Sequence, residues 1–281
     1  IQGLDNDYDY AEWYSLTKPS DEELKRQREE VFAWTPKFSI VIPLYKTPER
    51  YLKEMLDSIL GQTYGNWELC LVDGSPEGED VSRIVKKYTG KDSRVKYKIL
   101  GYNGGISVNT NAAIEMAEGE FIVLADHDDA MTPDALYECA KVLNEHPYCD
   151  VIYSDEDKMD MDGGALFDPH FKPDFNPDLL TSVNYICHQF IVKRELVEQV
   201  GGLRKEFDGA QDYDFIFRCT EKANEIVHIP KVLYHWRCHK DSTASNPESK
   251  LYAFDAGARA IMDHYKRCLL YTSDAADEMQ C

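Results

Sequence analysis

The chain lacks a long hydrophobic run, a paired-cysteine motif and a surplus of positive charge. None of its 281 residues lie in an apolar stretch long enough to span a membrane, and its start shows no secretory signal pattern. The eight cysteines are scattered without a C-x-x-C pair, and several lie within apolar runs. This usage is typical of reduced core thiols and not of disulfides or zinc ligands. We therefore expect a cytoplasmic protein with, at most, peripheral association with the inner face of the cell membrane.

Basic residues are scarce beside acidic ones. The chain has 31 Lys and Arg against 51 Asp and Glu, which gives a formal net charge of −20. A general nucleic-acid binder needs a basic face for the phosphates, so we expect no nucleic-acid partner. An acidic protein can still bind a nucleotide where a bound metal ion supplies the positive charge.

Two common nucleotide-binding signatures are also missing. Between residues 38 and 145, short apolar strands alternate with amphipathic helical segments. This alternation predicts an α/β fold with a parallel, Rossmann-like sheet and right-handed crossovers. The region contains neither G-x-G-x-x-G nor a P-loop, which disfavours ordinary dinucleotide or Walker-type binding.

Changes of composition divide the chain into three predicted parts. Residues 1–36 are expected to form a helical N-terminal extension. Residues 37–265 are expected to form the main domain, with a nucleotide-binding half over about 37–130 and an acceptor-binding half over 131–265. Residues 268–281 change character so abruptly that we expect a non-native tail.

Local signals add detail to these parts. Ser20-Asp21-Glu22-Glu23 fits a capping box before a helix over about 21–32. Three prolines at 169–177 predict an irregular loop that is long enough to suspect a function. Ile1 in place of Met leads us to expect a fragment of a longer protein.

An acidic cluster follows the fourth predicted strand. After the apolar residues 121–125, Asp126, Asp128 and Asp129 occur within four positions. Carboxylates this close repel one another unless a cation or a hydrogen-bond network holds them, and oxygen ligands favour Mg²⁺ or Mn²⁺. The alternative is an acidic turn capping the next helix, because Thr132-Pro133-Asp134 has the composition of a helix start.

Six motifs in order give the chain a family resemblance. They are IVIPLY at 40–45, LVDGS at 71–75, NGGIS at 103–107 with Asn111, DHDD at 126–129, QDYD at 211–214 and YHWR at 234–237. Together they resemble family 2 glycosyltransferases of the GT-A type fold. The resemblance implies a nucleotide-binding sheet with helices on both faces, fused to an acceptor-binding half. YSDED at 153–157 is also similar to the branch that builds bacterial cell-surface polysaccharides, such as rhamnose-containing ones.

The resemblance implies a site for a nucleoside-diphosphate-sugar, UDP- or TDP-linked. Asp73 would accept a hydrogen bond from the base, although Gly74 stands where the family often has a second aspartate. Thr110 stands where the family often has arginine, so a metal would carry more of the phosphate neutralisation. The implied donor-binding residues are Pro43, Tyr45, Asp73, Asn103, Gly104, Gly105, Asn111, Asp126 and Arg237. Ordinary turn roles for Asp73 and for the glycines stay open.

The resemblance also implies a metal centre with Mn²⁺ or Mg²⁺. Asp128 would bind the ion directly, and Asp126 would contact the ribose or a metal-bound water. Asp129 would hold the loop. His235 is the expected third ligand, with a purely structural histidine as the alternative. The ion would stabilise the leaving diphosphate.

Asp212 is the expected catalytic base. The family commonly has Glu-Asp at this place, and this chain has Gln211-Asp212. Removal of the acceptor proton by Asp212, with attack opposite the diphosphate, gives inversion. Helix capping by Asp212 is the alternative. The expected acceptor-binding residues are Asp155, Glu156, His188 and Gln211, against the alternative of a solvated acidic face.

These inferences predict an inverting, metal-dependent transfer of one sugar to a glycan or lipid-linked acceptor in surface-polysaccharide biosynthesis. The processive signature Q-x-x-R-W is missing, which favours addition of a single sugar. One alternative is a sugar-phosphate nucleotidyltransferase, although IPLY at 42–45 lacks its glycine-rich basic signature. The other is a non-catalytic glycan- or nucleotide-binding module of a larger glycosyltransferase with further modules.

Overall fold

The computed structural model describes residues 10–76, 81–238 and 251–268. The expected tail at 268–281 therefore lies outside the described residues, except for Cys268. The elements in chain order are α1 (Tyr10–Thr17), α2 (Asp21–Glu29), β1 (Phe38–Leu44), α3 (Glu49–Leu60), β2 (Trp67–Asp73), α4 (Val81–Thr89), β3 (Val95–Ile99), α5 (Ile106–Ile114), β4 (Phe121–Leu124), β5 (Ala130–Met131), α6 (Ala135–Glu145), β6 (Cys149–Met159), β7 (Leu166–His170), α7 (Pro177–Leu180), β8 (Phe190–Lys193), α8 (Arg194–Val200), a 3₁₀ turn (Lys205–Phe207), α9 (Gln211–Thr220), β9 (Glu225–Arg237) and α10 (Leu251–Arg267).

The described part of the chain forms one nine-stranded sheet in two differently built halves. Its order is β3-β2-β1-β4-β8-β6-β9-β5, with β7 paired to β6. Strands β1 to β4 are parallel to one another, as the alternation of strands and helices predicts. Strand β8 is antiparallel to both β4 and β6, whereas β6 and β9 are parallel. The predicted α/β fold of the GT-A type is confirmed.

Helices cover both faces of the sheet because side chains along each strand alternate between two cores. In β1, Ile40 and Ile42 belong to the core under α3, α4 and α6. Val41 belongs to the opposite core, under α5, α8, α9 and α10. A strand buried on both faces reads as a continuous apolar run, which is the pattern of a central parallel strand. Because β1 is parallel to both β2 and β4, the carboxyl ends of these three strands meet at one edge of the sheet.

The turn that follows β4 is not a helix cap. Strand β5 separates Asp129 from α6, which begins at Ala135 with Asp134 at its N-cap position. The alternative reading of 126–129 as a capping turn is therefore wrong. The expectation of an irregular loop at 169–177 is also only partly right. Strand β7 ends at His170 and α7 begins at Pro177, because local pairing with β6 and the Asn176 cap order both ends.

Within the described residues, the N-terminal extension contains the two helices α1 and α2, as its predicted helical character requires. Ser20 and Glu23 form the predicted capping box, although α2 ends at Glu29 and not near residue 32. Helix α1 packs on the segment after β7, where the rings of Trp13 and Phe171 meet edge to face at 5.1 Å. Among the residues that the structure describes, we find no helix with the length and apolar character needed to cross a bilayer.

Candidate active site

A cleft of about 900 Å³ opens at the carboxyl ends of β1 and β4. In an open α/β sheet this is the edge where ligands bind. Its walls come from these strands, the segment before β8, the start of α9 and the inner side of α10. Among the sequence-predicted site residues, those that line the cleft are Pro43, Asp126, His188, Gln211 and Asp212. The fold thus brings residues together that are up to 169 positions apart in the chain.

Strand β9 holds the acidic loop 126–129 in place. Tyr234 donates its hydroxyl to Oδ2 of Asp129 at 2.7 Å and accepts the backbone N–H of Asp126 at 3.0 Å. The backbone N–H of Arg237 donates to Oδ1 of Asp129 at 2.8 Å. Burial, together with the charges of Asp126 and Asp128, raises the pKa of Asp129 well above its usual range. Asp129 is therefore set to hold the loop, as expected from the sequence.

Arg237 does not occupy the position expected of a phosphate-binding residue. Its side chain is 1% exposed, and Nε donates to the backbone oxygen of Asp128 at 2.6 Å. Nη2 pairs with Glu54 at 2.5 Å, and the guanidinium lies 4.6 Å from the ring centre of Tyr51. A buried guanidinium needs such partners on every side, so it is not available to a diphosphate. Arg237 therefore supports the loop 126–129 from inside the protein.

Three side chains beside the cleft could hold a cation. Ligand atoms of Asp126, Asp129 and His188 all lie within 4.8 Å of one another. Two carboxylates and an imidazole are a suitable donor set for Mn²⁺, and the carboxylates suit Mg²⁺. Burial alone would raise the pKa of Asp126, but the nearby His188 ring at 3.5 Å lowers it overall. The residues present fit the divalent ion that the fold family implies.

The structure places His235 away from this group. Its Nδ1 lies 2.6 Å from Oδ1 of Asp157, and its Nε2 lies 3.3 Å from the hydroxyl of Tyr14. Both ring nitrogens thus have partners outside the cleft. The geometry gives the third position to His188 and does not support the expectation for His235. His239, which is close to it in the sequence, lies outside the described residues.

His188 sits at the centre of the site. Its ring stacks on Tyr234 at 5.0 Å and packs against Trp236 at 5.7 Å. Burial would lower the pKa of His188, but the neighbouring Cys187, Asp126 and Glu156 raise it well above its usual range. The sequence suggested an acceptor role for this residue, and its position between Asp126 and the cleft also allows contact with the metal or the diphosphate.

A buried charge network lies beneath His188. Asp155 is 3% exposed and accepts hydrogen bonds from the Lys172 backbone N–H and from His228 Nε2, both at 2.8 Å. Glu156 accepts from the His188 backbone N–H at 3.0 Å and from Lys172 Nζ at 3.1 Å. The expectation that Asp155 and Glu156 face the acceptor is thus not supported, because both carboxylates are buried with internal partners and neither lines the cleft. They instead fix the backbone of His188 and of Lys172.

Lys172 was missed by sequence reasoning. Its side chain is 0% exposed, and Nζ also donates to the backbone oxygens of Ile186, at 2.6 Å, and His188. Burial lowers the pKa of this amine, against the opposing effect of Glu156. The only signal in the sequence is the absence of polar neighbours, since Phe171 and Pro173 flank it. The ammonium thus links its own segment to β6, through Glu156, and to residues 186–188 at the wall of the cleft.

Asp212 stands in the first turn of α9, on the wall of the cleft. Its Oδ2 accepts a hydrogen bond from Asn184 Nδ2 at 2.8 Å. Burial raises the pKa of Asp212, and the positive charge of His188 opposes that shift. Its neighbour Gln211 lines the same cleft, with its side-chain oxygen accepting the N–H of Gly209 at 2.9 Å. Asp212 can therefore reach a hydroxyl group bound in the cleft.

The remaining donor-side residues surround the edge of the sheet. Asp73 ends β2, with its oxygens bonded to the Ser75 N–H at 2.8 Å and the Tyr97 hydroxyl at 2.5 Å. Tyr45 is 41% exposed beyond the end of β1. Asp73 is thus a fixed acceptor at the predicted base-binding edge, while Tyr45 presents an accessible ring there.

The glycine turn before α5 has a tight geometry. Gly105 has a φ of +90°, and Asn103 Oδ1 accepts its N–H at 3.0 Å. A Cβ on Gly104 would lie 2.5 Å from Val108 Cγ1, so only glycine fits. Asn111, expected to shape the donor pocket, bonds both side-chain atoms to the backbone of Leu203, at 2.7 and 2.9 Å. Any effect of Asn111 on the pocket is therefore exerted through the loop at Leu203.

Comparisons with known proteins agree with this architecture. The model of glycosyl transferase family 2 matches residues 39–201, so the chain belongs to that family. An uncharacterized protein of Sinorhizobium fredii, y4gI, is 44% identical over 83% of this chain and 26% of its own length. The O-antigen biosynthesis protein RfbC of Myxococcus xanthus is 34% identical over 92% of this chain and 20% of its own length.

A solved structure shows the same fold. S. aureus TarS 1–349 in complex with UDP-GlcNAc aligns with a TM-score of 0.64 and 25% identity, over 80% of this chain and 66% of that one. The chain spans only about a fifth to a quarter of the length of the two curated relatives. The family match covers the sheet strands β1 to β8 and leaves the N-terminal extension, α9, β9 and α10 outside it.

Proposed function

We propose that the chain is an inverting, metal-dependent glycosyltransferase that adds one sugar to a glycan or lipid-linked acceptor. The observation that carries this proposal is the cleft itself, because Asp126, His188 and Asp212 line the same cavity. A cation-binding group and a carboxylate base are the two components that such a transfer needs. Surface-polysaccharide biosynthesis, on the cytoplasmic side, is the proposed setting, supported by the similarity to RfbC, an O-antigen biosynthesis protein.

The donor is proposed to be a UDP- or TDP-linked sugar. The similar TarS structure contains UDP-GlcNAc, which supports a nucleotide-sugar as the donor class. Asp73 lies at the edge where the base would bind, and the glycine turn at 103–105 leads into α5 close to the same edge. Asp126, Asp129 and His188 would hold Mn²⁺ or Mg²⁺, whereas Asp128, which was expected from the sequence to bind the ion directly, is not part of that group. A bound ion supplies positive charge to the diphosphate as it leaves.

Asp212 is proposed to remove the acceptor proton. The acceptor hydroxyl passes its proton to the Asp212 carboxylate while its oxygen attacks the anomeric carbon from the face opposite the diphosphate. The bond between the anomeric carbon and the diphosphate oxygen breaks, and its electron pair leaves with the diphosphate. A pKa raised by burial makes Asp212 a stronger base than an exposed aspartate. Asn184 holds the carboxylate in place.

Calorimetric titration of nucleoside diphosphates, with and without Mn²⁺, tests the donor and metal sites. We expect UDP or TDP to bind more tightly with Mn²⁺, and Asp126→Asn to remove the gain from the metal. Asp128→Asn, in parallel, reveals whether this second carboxylate also binds the ion. Asp178→Asn is the matched control, because Asp178 is an exposed carboxylate in α7. Its binding should equal that of the wild type.

Product analysis distinguishes an enzyme from a binding module. Release of UDP or TDP from a sugar nucleotide, with the product of inverted anomeric configuration, would support the proposal. Nucleotide binding without release, over a panel of sugar nucleotides and glycan acceptors, would instead favour the non-catalytic module. Failure of every nucleotide to bind would contradict the proposed donor class.

A further inference from the structure

Helix α1 holds the two strands that carry the candidate site. The Tyr10 hydroxyl donates to Oδ2 of Asp157 at 2.6 Å, while Nδ1 of His235 lies 2.6 Å from Oδ1 of the same carboxylate. The Tyr14 hydroxyl lies 3.3 Å from His235 Nε2, with the two rings edge to face at 5.6 Å. Asp157 is 0% exposed. Two tyrosines of the extension thus complete a polar group formed by β6 and β9.

This polar group lies on the reverse face of the strands that support the site. Successive side chains of a strand point to opposite faces of the sheet. Glu156 and Tyr234 point to the face where they contact His188 and the loop 126–129. Their chain neighbours Asp157 and His235 point to the other face, where α1 lies. The two sets of side chains share the same two backbones.

The pairing of these two strands is irregular just before the pair Asp157 and His235. The register between β6 and β9 shifts at Ser154/Asp155 and again at Asp155/Glu156. Such irregularities redirect side chains and weaken the local ladder of hydrogen bonds. In this segment β9 also pairs with β5, with His235 opposite Ala130, the residue after Asp129. A helix bonded to Asp157 and His235 therefore stabilises the stretch in which β6 and β9 pair regularly again, directly after the register shifts.

A second contact of α1 leads to the same place. Trp13 packs on Phe171, the residue before Lys172. Lys172 donates to Glu156 and to the backbone of Ile186 and His188. Each contact of α1 therefore leads to Glu156 or His188 through one or two intermediate residues.

We propose that α1 is a positioning element for the active site. Docking of Tyr10 and Tyr14 onto Asp157 and His235 fixes the stretch of β6 and β9 that directly follows the register shifts, and this sets His188 and the loop 126–129 for metal binding. Neither tyrosine touches the reacting groups, so both are positioning residues. The inference gives a role to an extension that lies outside the family match at 39–201. It relies on the proposed function only for the identity of the ion.

The double variant Tyr10→Phe/Tyr14→Phe tests this inference in the full chain. It keeps the rings and removes both hydroxyls. We expect amide hydrogen exchange to become about tenfold faster in 125–129 and 185–189, segments on the other face of the sheet. We also expect Mn²⁺ alone, followed by electron paramagnetic resonance, to bind about tenfold more weakly. Tyr148→Phe is the matched control, since Tyr148 is exposed and remote from α1.

Faster exchange confined to α1, β6 and β9 would overturn the inference, because the hydroxyls would then have a local structural role only. Wild-type exchange throughout would overturn it as well. If the double variant loses its fold, the same measurements on the two single variants decide between these outcomes. Failure of the wild type to bind Mn²⁺ or a nucleotide would contradict the proposed function instead, and the exchange in 125–129 and 185–189 would still test the role of α1.

Discussion

The two halves of the sheet are built from different kinds of residue. Strands β1 to β4 form a regular parallel ladder whose central strand alternates Ile40, Val41 and Ile42 between two apolar cores. Strands β6 to β9 run in mixed directions with shifts of register, and β6 buries Asp155, Glu156 and Asp157. Apolar burial is non-directional, whereas each buried charge needs a defined partner. The second half therefore obtains its geometry from specific pairs and the first from general packing.

The difference also separates two roles at the cleft. The regular half presents the edge where a nucleotide would bind, through backbone turns and strand ends. The irregular half positions three parts of the site. Glu156 bonds to the backbone of His188, Tyr234 bonds to the loop 126–129, and Asp212 lies on α9, where Asn184 bonds to it. Charged networks of this kind fix a unique arrangement where catalysis needs one. Substitutions in the two halves should consequently differ in both size and kind.

The largest effect is expected for Asp212→Asn. Loss of a general base typically costs about 10²–10⁴-fold in rate, so the transfer rate should fall by that factor while binding of the nucleotide stays unchanged. Steady-state transfer assays combined with nucleotide titration measure the two quantities separately. Asp178→Asn serves as the control on α7. A transfer rate within about threefold of the wild type would contradict the role of Asp212 as base.

The second-largest effect is expected from removal of the buried ammonium group of Lys172. Lys172→Met leaves Glu156 buried without its cation, and breaking a buried pair in this way costs about 3–5 kcal/mol. Urea unfolding should show that loss. The double variant Lys172→Met/Glu156→Gln should recover part of it, because no uncompensated charge remains. Lys222→Met, at an exposed position, is the control. A single variant as stable as the control would show that the pair contributes little.

A pH titration extends the comparison to the regular half, where the buried carboxylate of Glu68 is paired with Lys37. Burial would raise the pKa of Glu68, but hydrogen bonds from Lys37, Ser39 and others lower it from 4.5 to about 2. Because the folded pKa is below the unfolded one, its stabilisation is present above pH 4.5 and is lost as the pH falls to about 2. The difference in unfolding free energy between wild type and Glu68→Gln should shrink by about 3 kcal/mol over that range. A constant difference would contradict this prediction.

The smallest effect is expected for an apolar change in the regular half. Ile42→Val removes one methylene group from a fully buried strand and should cost about 0.5–1.5 kcal/mol in urea unfolding. Ile99→Val is the control, since half of that side chain is exposed. A loss as large as that of Lys172→Met would remove the distinction between the two halves.

The accuracy of the sequence-based predictions follows the same division. The alternation of strands and helices between residues 38 and 145 was predicted correctly, because apolar periodicity is local in the sequence. In the second half the structure adds β7 and α7 to a stretch expected to be irregular. The motifs predicted the cleft residues Asp126 and Asp212, whereas His188 belongs to no motif and was expected only to contact the acceptor. The roles of all three residues stay proposals. The partners of Arg237, His235, Asp155 and Glu156 could not be predicted, because those partners lie far away in the chain.

The sequence by itself determined the α/β fold, the family and the edge of the sheet where the carboxylates gather. These properties follow from hydrophobic periodicity and from motifs whose residues are close together in the chain. Only the tertiary structure decided that His188 and not His235 joins Asp126 and Asp129, that Arg237 supports the loop from behind, and that Lys172 is buried beneath the site. The sequence alone does not show whether a charged residue faces water or a buried partner. The fold makes that choice by bringing distant segments into contact.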